Sequence, residues 1–417
     1  MATNVTFSNM LNQFLPEPLL FDELKKRDWF MKNVDQDDSW LGGALIVPFL
    51  GAVGSSVTFG SLAASNDIAE ESTVRGSVSA YKEVWSSMIF NETDLMQHGK
   101  VSQQNFLRIL PDALERHAAY LKGCISQNLL TGGYVALLTA NGDSSGNFGV
   151  AQPDRFVINQ KLNFANNVPN TATGYVKTIS MNSTTGSYNI NVVTTRGGST
   201  PLDVSAYTIA NVGTVYQDGQ QANGFTSLRS QLLSAANGGT STIFGVTKTA
   251  WPFTQAINIP GSSITSANIL SSIFDAYVTI RRLGGGQPFK VVMSYKNFGA
   301  CVKSIEAQKG SFNVKPMSSD TQMYGWMEIE VGGFAGVLSL VAVQEMDDDI
   351  IYFLDMKTIK FYTNGGIRRR KDPETGSPFY TIRNTTGYQY IVDHCLFGEV
   401  VVLEPKKNGI IYGISFT

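Results

Sequence analysis

The densest group of side chains able to do chemistry is a run of carboxylates, Asp347-Asp348-Asp349, with Glu345 and Asp355 close by. Paired carboxylates can hold Mg²⁺ or Ca²⁺, or divide the roles of general acid and general base. The run lies between two apolar segments, 336–343 and 350–354, and that placement predicts a solvated turn joining two strands. No Asp-x-Asp-x-Asp-Gly phrase occurs, which excludes an EF-hand loop. The densest basic run is Arg368-Arg369-Arg370-Lys371, ahead of Asp372-Pro-Glu-Thr-Gly-Ser-Pro378. It reads as an exposed hairpin flank, or as a contact for nucleic acid or for an acidic loop such as Glu70-Glu71. His98, His117 and His394 are far apart and fit neither an HExxH phrase nor a zinc spacing, so each reads as a hydrogen-bonded structural residue. Gly284-Gly-Gly-Gln-Pro288 lacks the Lys-Ser/Thr of a phosphate loop and predicts a helix-to-strand turn. No catalytic set, metal site or cofactor site is expected, and the chain does not read as an enzyme.

Composition points the same way. Charged residues make up 16% of the 417 residues, well below the roughly 25% of ordinary soluble domains. Forty glycines and 43% apolar residues suggest β-structure, many turns and large surfaces meant for a partner, because interface cores are poor in charge. With 32 basic against 34 acidic residues the net charge is −2, unlike a chain that wraps nucleic acid by releasing counterions. Cys124, Cys301 and Cys395 form no CxxC pair and imply buried thiols in a reducing compartment. Neither a basic-then-apolar leader nor an 18-residue apolar run occurs, so the expected product is soluble and cytosolic when made.

The length predicts two or three domains. Residues 1–42 read as an arm, broken by Pro16 and Pro18, with Phe21, Leu24 and Trp29 on a short amphipathic helix that docks on a neighbour or on its own body. Residues 43–100 read as a long hairpin. Ala44–Phe49 would lead out, and a return strand would alternate over Val74, Val78, Ala80, Tyr81, Val84, Trp85, Met88 and Ile89. Its tip, 60–73, is small and polar, with acids at Asp67, Glu70 and Glu71, and loops of that length usually bind something. Over 101–153 a first helical turn would give way at Pro111 to a fresh helix, with Leu114, Ala118, Leu121, Ile125 and Leu129 on one face. Short alternating strands over 154–220 predict a small inserted β-barrel or sandwich, with strands at 156–164, 174–179, 188–193 and 207–210. Residues 221–365 return to mixed α/β, with helices expected at 225–236, 265–283 and 294–308 and strands at 289–293, 327–331, 336–343, 350–354 and 359–362. A final strand pair, 388–397 and 399–403, would close the region 366–417. The class is α+β.

This order of arm, long hairpin, long helix, inserted β-domain and α/β domain resembles the Hong Kong 97 (HK97) fold of tailed-bacteriophage major capsid proteins. Local phrases carry the resemblance: Ser126-Gln-Asn-Leu-Leu-Thr-Gly-Gly-Tyr134 at the end of a spine helix, and Gln152-Pro-Asp-Arg-Phe-Val-Ile-Asn-Gln-Lys-Leu-Asn-Phe164 with Gly174-Tyr-Val-Lys-Thr-Ile179 opening an inserted domain. Phe225-Thr-Ser-Leu-Arg-Ser-Gln-Leu-Leu233 and Phe397-Gly-Glu-Val-Val-Val-Leu403 are similar to the helix that follows it and to the late return strand. The resemblance implies an axial domain over 221–365 and a peripheral domain that includes 366–417. It also implies hexamers and pentamers of an icosahedral virion head enclosing double-stranded DNA, assembled in the host cytoplasm. Implied partners are other copies of the chain, a scaffolding protein, a portal at one vertex and a cement or decoration protein. An encapsulin-like nanocompartment shell or another virion protein is the alternative. Candidate intersubunit contacts are Asp67, Glu70, Glu71, Arg75, Trp29, Arg368, Arg369, Arg370 and Lys371. The tip at 60–73 has no lysine, so Lys–Asn cross-linking is not expected and noncovalent contacts must hold the shell.

Overall fold

The computed structural model describes residues 28–40, 43–51, 73–78, 82–91, 103–132, 134–150, 156–164, 172–181, 188–207, 214–219, 223–237, 239–307, 314–316, 326–333, 336–374, 376–377, 380–384 and 387–415. Expectations resting on Phe21, Leu24, Asp67, Glu70, Glu71 and His98 therefore lie outside the described residues. The chain forms two compact units, one of Met1–Ser126 with Leu228–Thr417 and one of Gln127–Ser227.

The first unit begins with α1 (Trp29–Asn33), whose N-cap Asp28 accepts a hydrogen bond from the Met31 N–H at 2.9 Å. Strand β1 (Asp35–Asp37) follows, then β2 (Leu45–Leu50) and β3 (Thr73–Val78), paired antiparallel from Leu45↔Val78 to Leu50↔Thr73. The expected return strand is divided between two sheets, with Thr73–Val78 on β2 and Lys82–Asn91 elsewhere. Strand β4 (Lys82–Asn91) instead pairs with a strand near the C-terminus, because ten registered pairs on a buried central strand outweigh extension of a two-stranded ladder. Helix α2 (Gln103–Thr131) runs through Pro111 without a fresh start, for 29 residues or roughly 43 Å at 1.5 Å per residue. The proline removes one N–H from the ladder. Burial of Leu121, Ile125 and Leu129 holds the half that follows it.

The second unit is a closed barrel of β5 (Tyr134–Ala140), β6 (Asn147–Val150), β7 (Lys161–Phe164), β8 (Ala172–Met181), β9 (Tyr188–Val193) and β10 (Thr214–Gln217). Its bounds are wider than the expected 154–220, since closure draws two strands from residues directly after α2. Inward residues Phe148, Val150, Leu162, Phe164, Val176, Ile190 and Val192 fill the interior. Tyr207, expected to open a strand, lies outside the named strands and seals this core, its hydroxyl donating to the Phe164 carbonyl at 3.0 Å.

Back in the first unit come α3 (Leu228–Leu232), shorter than the expected 225–236, and the ribbon β11 (Thr242–Ile243) and β12 (Val246–Thr247). Phe244 and Gly245 both have positive φ, 48° and 82°, as a two-residue primed turn demands. Strand β13 (Ile257–Pro260), α4 (Ile269–Gly284), β14 (Lys290–Met293), α5 (Tyr295–Ala307), β15 (Val314–Pro316), β16 (Trp326–Gly333), β17 (Gly336–Val343), β18 (Ile350–Leu354), β19 (Ile359–Arg369), β20 (Tyr380–Asn384), β21 (Gly387–Val402) and β22 (Gly409–Tyr412) complete it. Seven strands form a mixed sheet in the order β13-β22-β18-β14-β17-β16-β15. Ile269, Ile273, Tyr277 and Ile280 of α4 pack with alternate strand residues Val291, Met293, Leu338, Leu340, Ile351 and Phe353. The expected turn after α4 forms, capped by Gly285 at φ 69°.

The other large sheet, β1-β19-β21-β20 with β4 on β21, shows that the expected final strand pair is one strand of 16 residues. Gly398 does not break it. A Cβ there would lie 2.7 Å from both the Phe361 ring and the Tyr362 carbonyl, so the glycine admits a close crossing of β19. The boundary expected at 365/366 also moves. It falls inside β19, and β22 returns the chain to the seven-stranded sheet.

Candidate functional site

The carboxylate run is not a solvated turn. Glu345, Met346 and Asp347 are buried, and Glu345, Asp347 and Asp349 are each paired with a basic group from elsewhere in the chain. Arg229 of α3 reaches Asp347 at 3.4 Å and Asp349 at 3.2 Å, and Lys122 of α2 reaches Glu345 at 2.7 Å. Asp355 caps a short turn by accepting from the Lys357 N–H. Among the described residues no group of three or more His, Cys, Asp or Glu is placed to hold a metal. The cluster clamps the β17–β18 turn to two helices.

The basic run is also not a simple exposed flank, because strand alternation divides it. Arg369 is buried at 5% exposure, whereas Arg368, Arg370 and Lys371 are exposed. Arg368 donates to the Asn364 side chain at 3.1 Å. The Arg370 guanidinium lies 5.0 Å from the Tyr380 ring centroid and 5.9 Å from that of Trp85. His117 and His394, read as unrelated, stand with ring centroids 5.8 Å apart. Trp29 is 1% exposed within its own chain, so it offers no surface to a neighbour, and the described end of the arm docks on its own body. Arg75 is exposed on β3, opposite Pro48.

What the structure adds is a sheet face. Glu83, Trp85, Ser87 and Ile89 all point to one side of β4, and their registered partners on β21 are Phe397, Cys395, Asp393 and Ile391. The Ser87 hydroxyl donates to Asp393 at 2.6 Å, and Trp85 meets Phe397 edge-on at 5.8 Å. Strand β20 extends the face with Tyr380 and Ile382, registered to Ile391 and Gln389. Trp85, Ile89 and Ile382 remain 47%, 48% and 50% exposed. The other side of the same strands carries Met88, Val392, His394 and Leu396, all buried. The face is therefore apolar at its centre, with the cations of Arg368, Arg370 and Lys371 to one side. Alternation of Trp85 and Ile89 was readable in the sequence. Their neighbours Tyr380 and Ile382 were not, since they become adjacent only through β21.

No family model matches the chain, and no curated protein matches it. Solved structures do align with most of it. The cyanophage A-1(L) capsid asymmetric unit matches with a TM-score of 0.49 and 12% identity, over 94% of this chain and 92% of that one. The capsid of the native GTA particle matches at 0.45 and 9% identity, over 94% and 91%. A structure of Gordonia phage Cozz matches at 0.44 and 10% identity, over 94% and 87%. The first two are capsids. All three scores are below one half, so the functional reading rests on the geometry of this chain.

Proposed function

We propose that this chain is a shell-forming structural subunit, a major capsid protein of the Hong Kong 97 kind. The observation that carries the reading is the sheet face of Trp85, Ile89 and Ile382, half-exposed on a sheet whose other side is buried. Large apolar side chains at the centre of a patch, with cations beside them, are the composition of an interface core and its rim. Copies of the chain would cover the face, each burying roughly 800 Å² per contact, so that repetition stabilises hexamers and pentamers that single contacts could not. The natural occupant is the hairpin of a neighbour. Its acids Asp67, Glu70 and Glu71 would meet Arg368, Arg370 and Lys371, and Arg75 would lie along its stem. The shell would enclose double-stranded DNA as a container, with a portal at one vertex, a scaffolding protein during assembly and a cement protein outside. The seven-stranded sheet with α4 and α5 would be the axial domain, the β4–β21 sheet with α2 the peripheral domain, and the barrel the inserted domain.

The triple variant Trp85→Ser, Ile89→Ser, Ile382→Ser tests this directly, because half-exposed side chains add little to the fold of one chain. Negative-stain microscopy should show closed shells from the parent chain. The variant should give only soluble subunits with an unchanged circular-dichroism spectrum. Normal particles from the variant would refute the interface. Deleting 60–73 should likewise leave folded subunits that do not close.

A further inference from the structure

The helix α2 and the sheet beneath it meet across a polar row. Ser86 of β4, His394 of β21 and Arg369 of β19 stand side by side in register across three adjacent strands. His117 of α2 closes on this row, its Nε2 lying 3.0 Å from the Ser86 hydroxyl and its ring 5.8 Å from that of His394. His394 is 3% exposed, and among the described residues neither of its ring nitrogens has a hydrogen-bond partner. A buried imidazole carries at least one N–H, and leaving it unsatisfied is costly. Covering the row favours neutral rings, and a charged ring would have to stand against a second histidine and an arginine.

We propose that the His117–His394 pair is an acid-triggered release, by which protonation of the pair separates the central part of α2 from the β4–β21–β19 sheet. Among the described residues, the charged and titratable groups facing the pair are His117 from α2, His394 from β21 and Arg369 from β19, while β4 contributes the neutral Ser86. The carboxylates Glu83 and Asp393 belong to the opposite side of the sheet, with Trp85 and Ser87. Burial first, then His117 and Arg369, hold His394 down at about 3 from an ordinary 6.5. Burial also lowers His117. The sign follows from linkage. An opened state exposes ordinary imidazoles that take up protons below about pH 6.5, whereas the closed state does not, so closure is complete at neutral pH and lost as pH falls. Each histidine makes the opening constant rise by up to about tenfold per pH unit below that point.

Hydrogen exchange of the full chain tests this, with amides of 116–131 followed from about pH 7.5 to about pH 5 and corrected for intrinsic exchange rates. Opening of those amides should stay level down to about pH 6.5 and then increase, by up to about tenfold per pH unit for each histidine, while barrel amides of β5 to β10 keep their protection as an internal control. His394→Leu and, in a second chain, His117→Gln should each flatten the acid response. If either variant fails to fold, the other carries the comparison. A helix equally protected at both pH values, or an acid response unchanged in a folded variant, would overturn the proposal. The outcome does not depend on whether the chain forms shells.

Discussion

Lys122→Met is expected to cost about 3–5 kcal/mol of stability at neutral pH, although methionine nearly matches the lysine stem in volume. Lys122 is 8% exposed, its ammonium 2.7 Å from Glu345, and it also faces Asp28, which is fully buried at the start of α1. One cation therefore serves two buried carboxylates on different elements. Burial already pushes Asp28 up to about 6, with Glu345 adding to the rise and Lys122 opposing it. A raised carboxyl keeps its proton in the folded chain where the unfolded chain has lost it. Its favourable contribution is thus present at low pH and lost as pH climbs from about 3.8 through the folded value. Without Lys122 that window extends upward. The variant's deficit should be greatest near pH 7.5 and smaller near pH 5.5, by about 1.4 kcal/mol for each pH unit of further rise in Asp28. Urea unfolding of parent and variant at both pH values measures this. An equal deficit at the two would assign the loss to packing instead of charge.

Phe148→Ala should cost the barrel about 3–5 kcal/mol, a large fraction of what holds a unit of its size. Phe148 is 1% exposed and meets Phe164 edge-on at 5.3 Å and Phe156 at 6.0 Å, so its ring is the centre of an aromatic triad. A closed barrel has little freedom to collapse around the cavity, because its strands are held in register on both sides. Phe148→Leu, which keeps most of the volume, should cost far less, about 1 kcal/mol. Calorimetry should show a low-temperature transition assignable to residues 127–227, and limited proteolysis should cut there first. Unchanged melting in the alanine variant would mean that this ring does not support the barrel.

Local pattern made much of the fold legible. The spacing of Ile269, Ile273 and Tyr277 marked α4, and the apolar runs 336–343, interrupted by Ser339, and 350–354 marked the two strands that form. What stayed hidden was set by distant partners. Nothing near residues 82–91 says that they pair with 389–398, and β13 and β22 are four residues each, too short to carry a period. The Asp347–Asp349 turn looked solvated because Arg229, which neutralises it, lies on another element. The candidate site shared that fate. Arg370 and Trp85 were each noticed, but their stacking depends on a strand between them that was expected to be two.

The pairing of β4 with β21 also sets a clock. Ser87 and Asp393 are 306 residues apart, so the ribosome must add that whole length of chain before the sheet can close. At about 5–20 residues per second this is a delay of roughly 15–60 s. During that time β4 has no partner strand, and the face proposed to bind neighbours does not yet exist. A half-made chain therefore cannot join its finished siblings through this surface. Competence to associate through this face arrives only once β21 has been made, which would keep chains truncated before it out of the proposed shells.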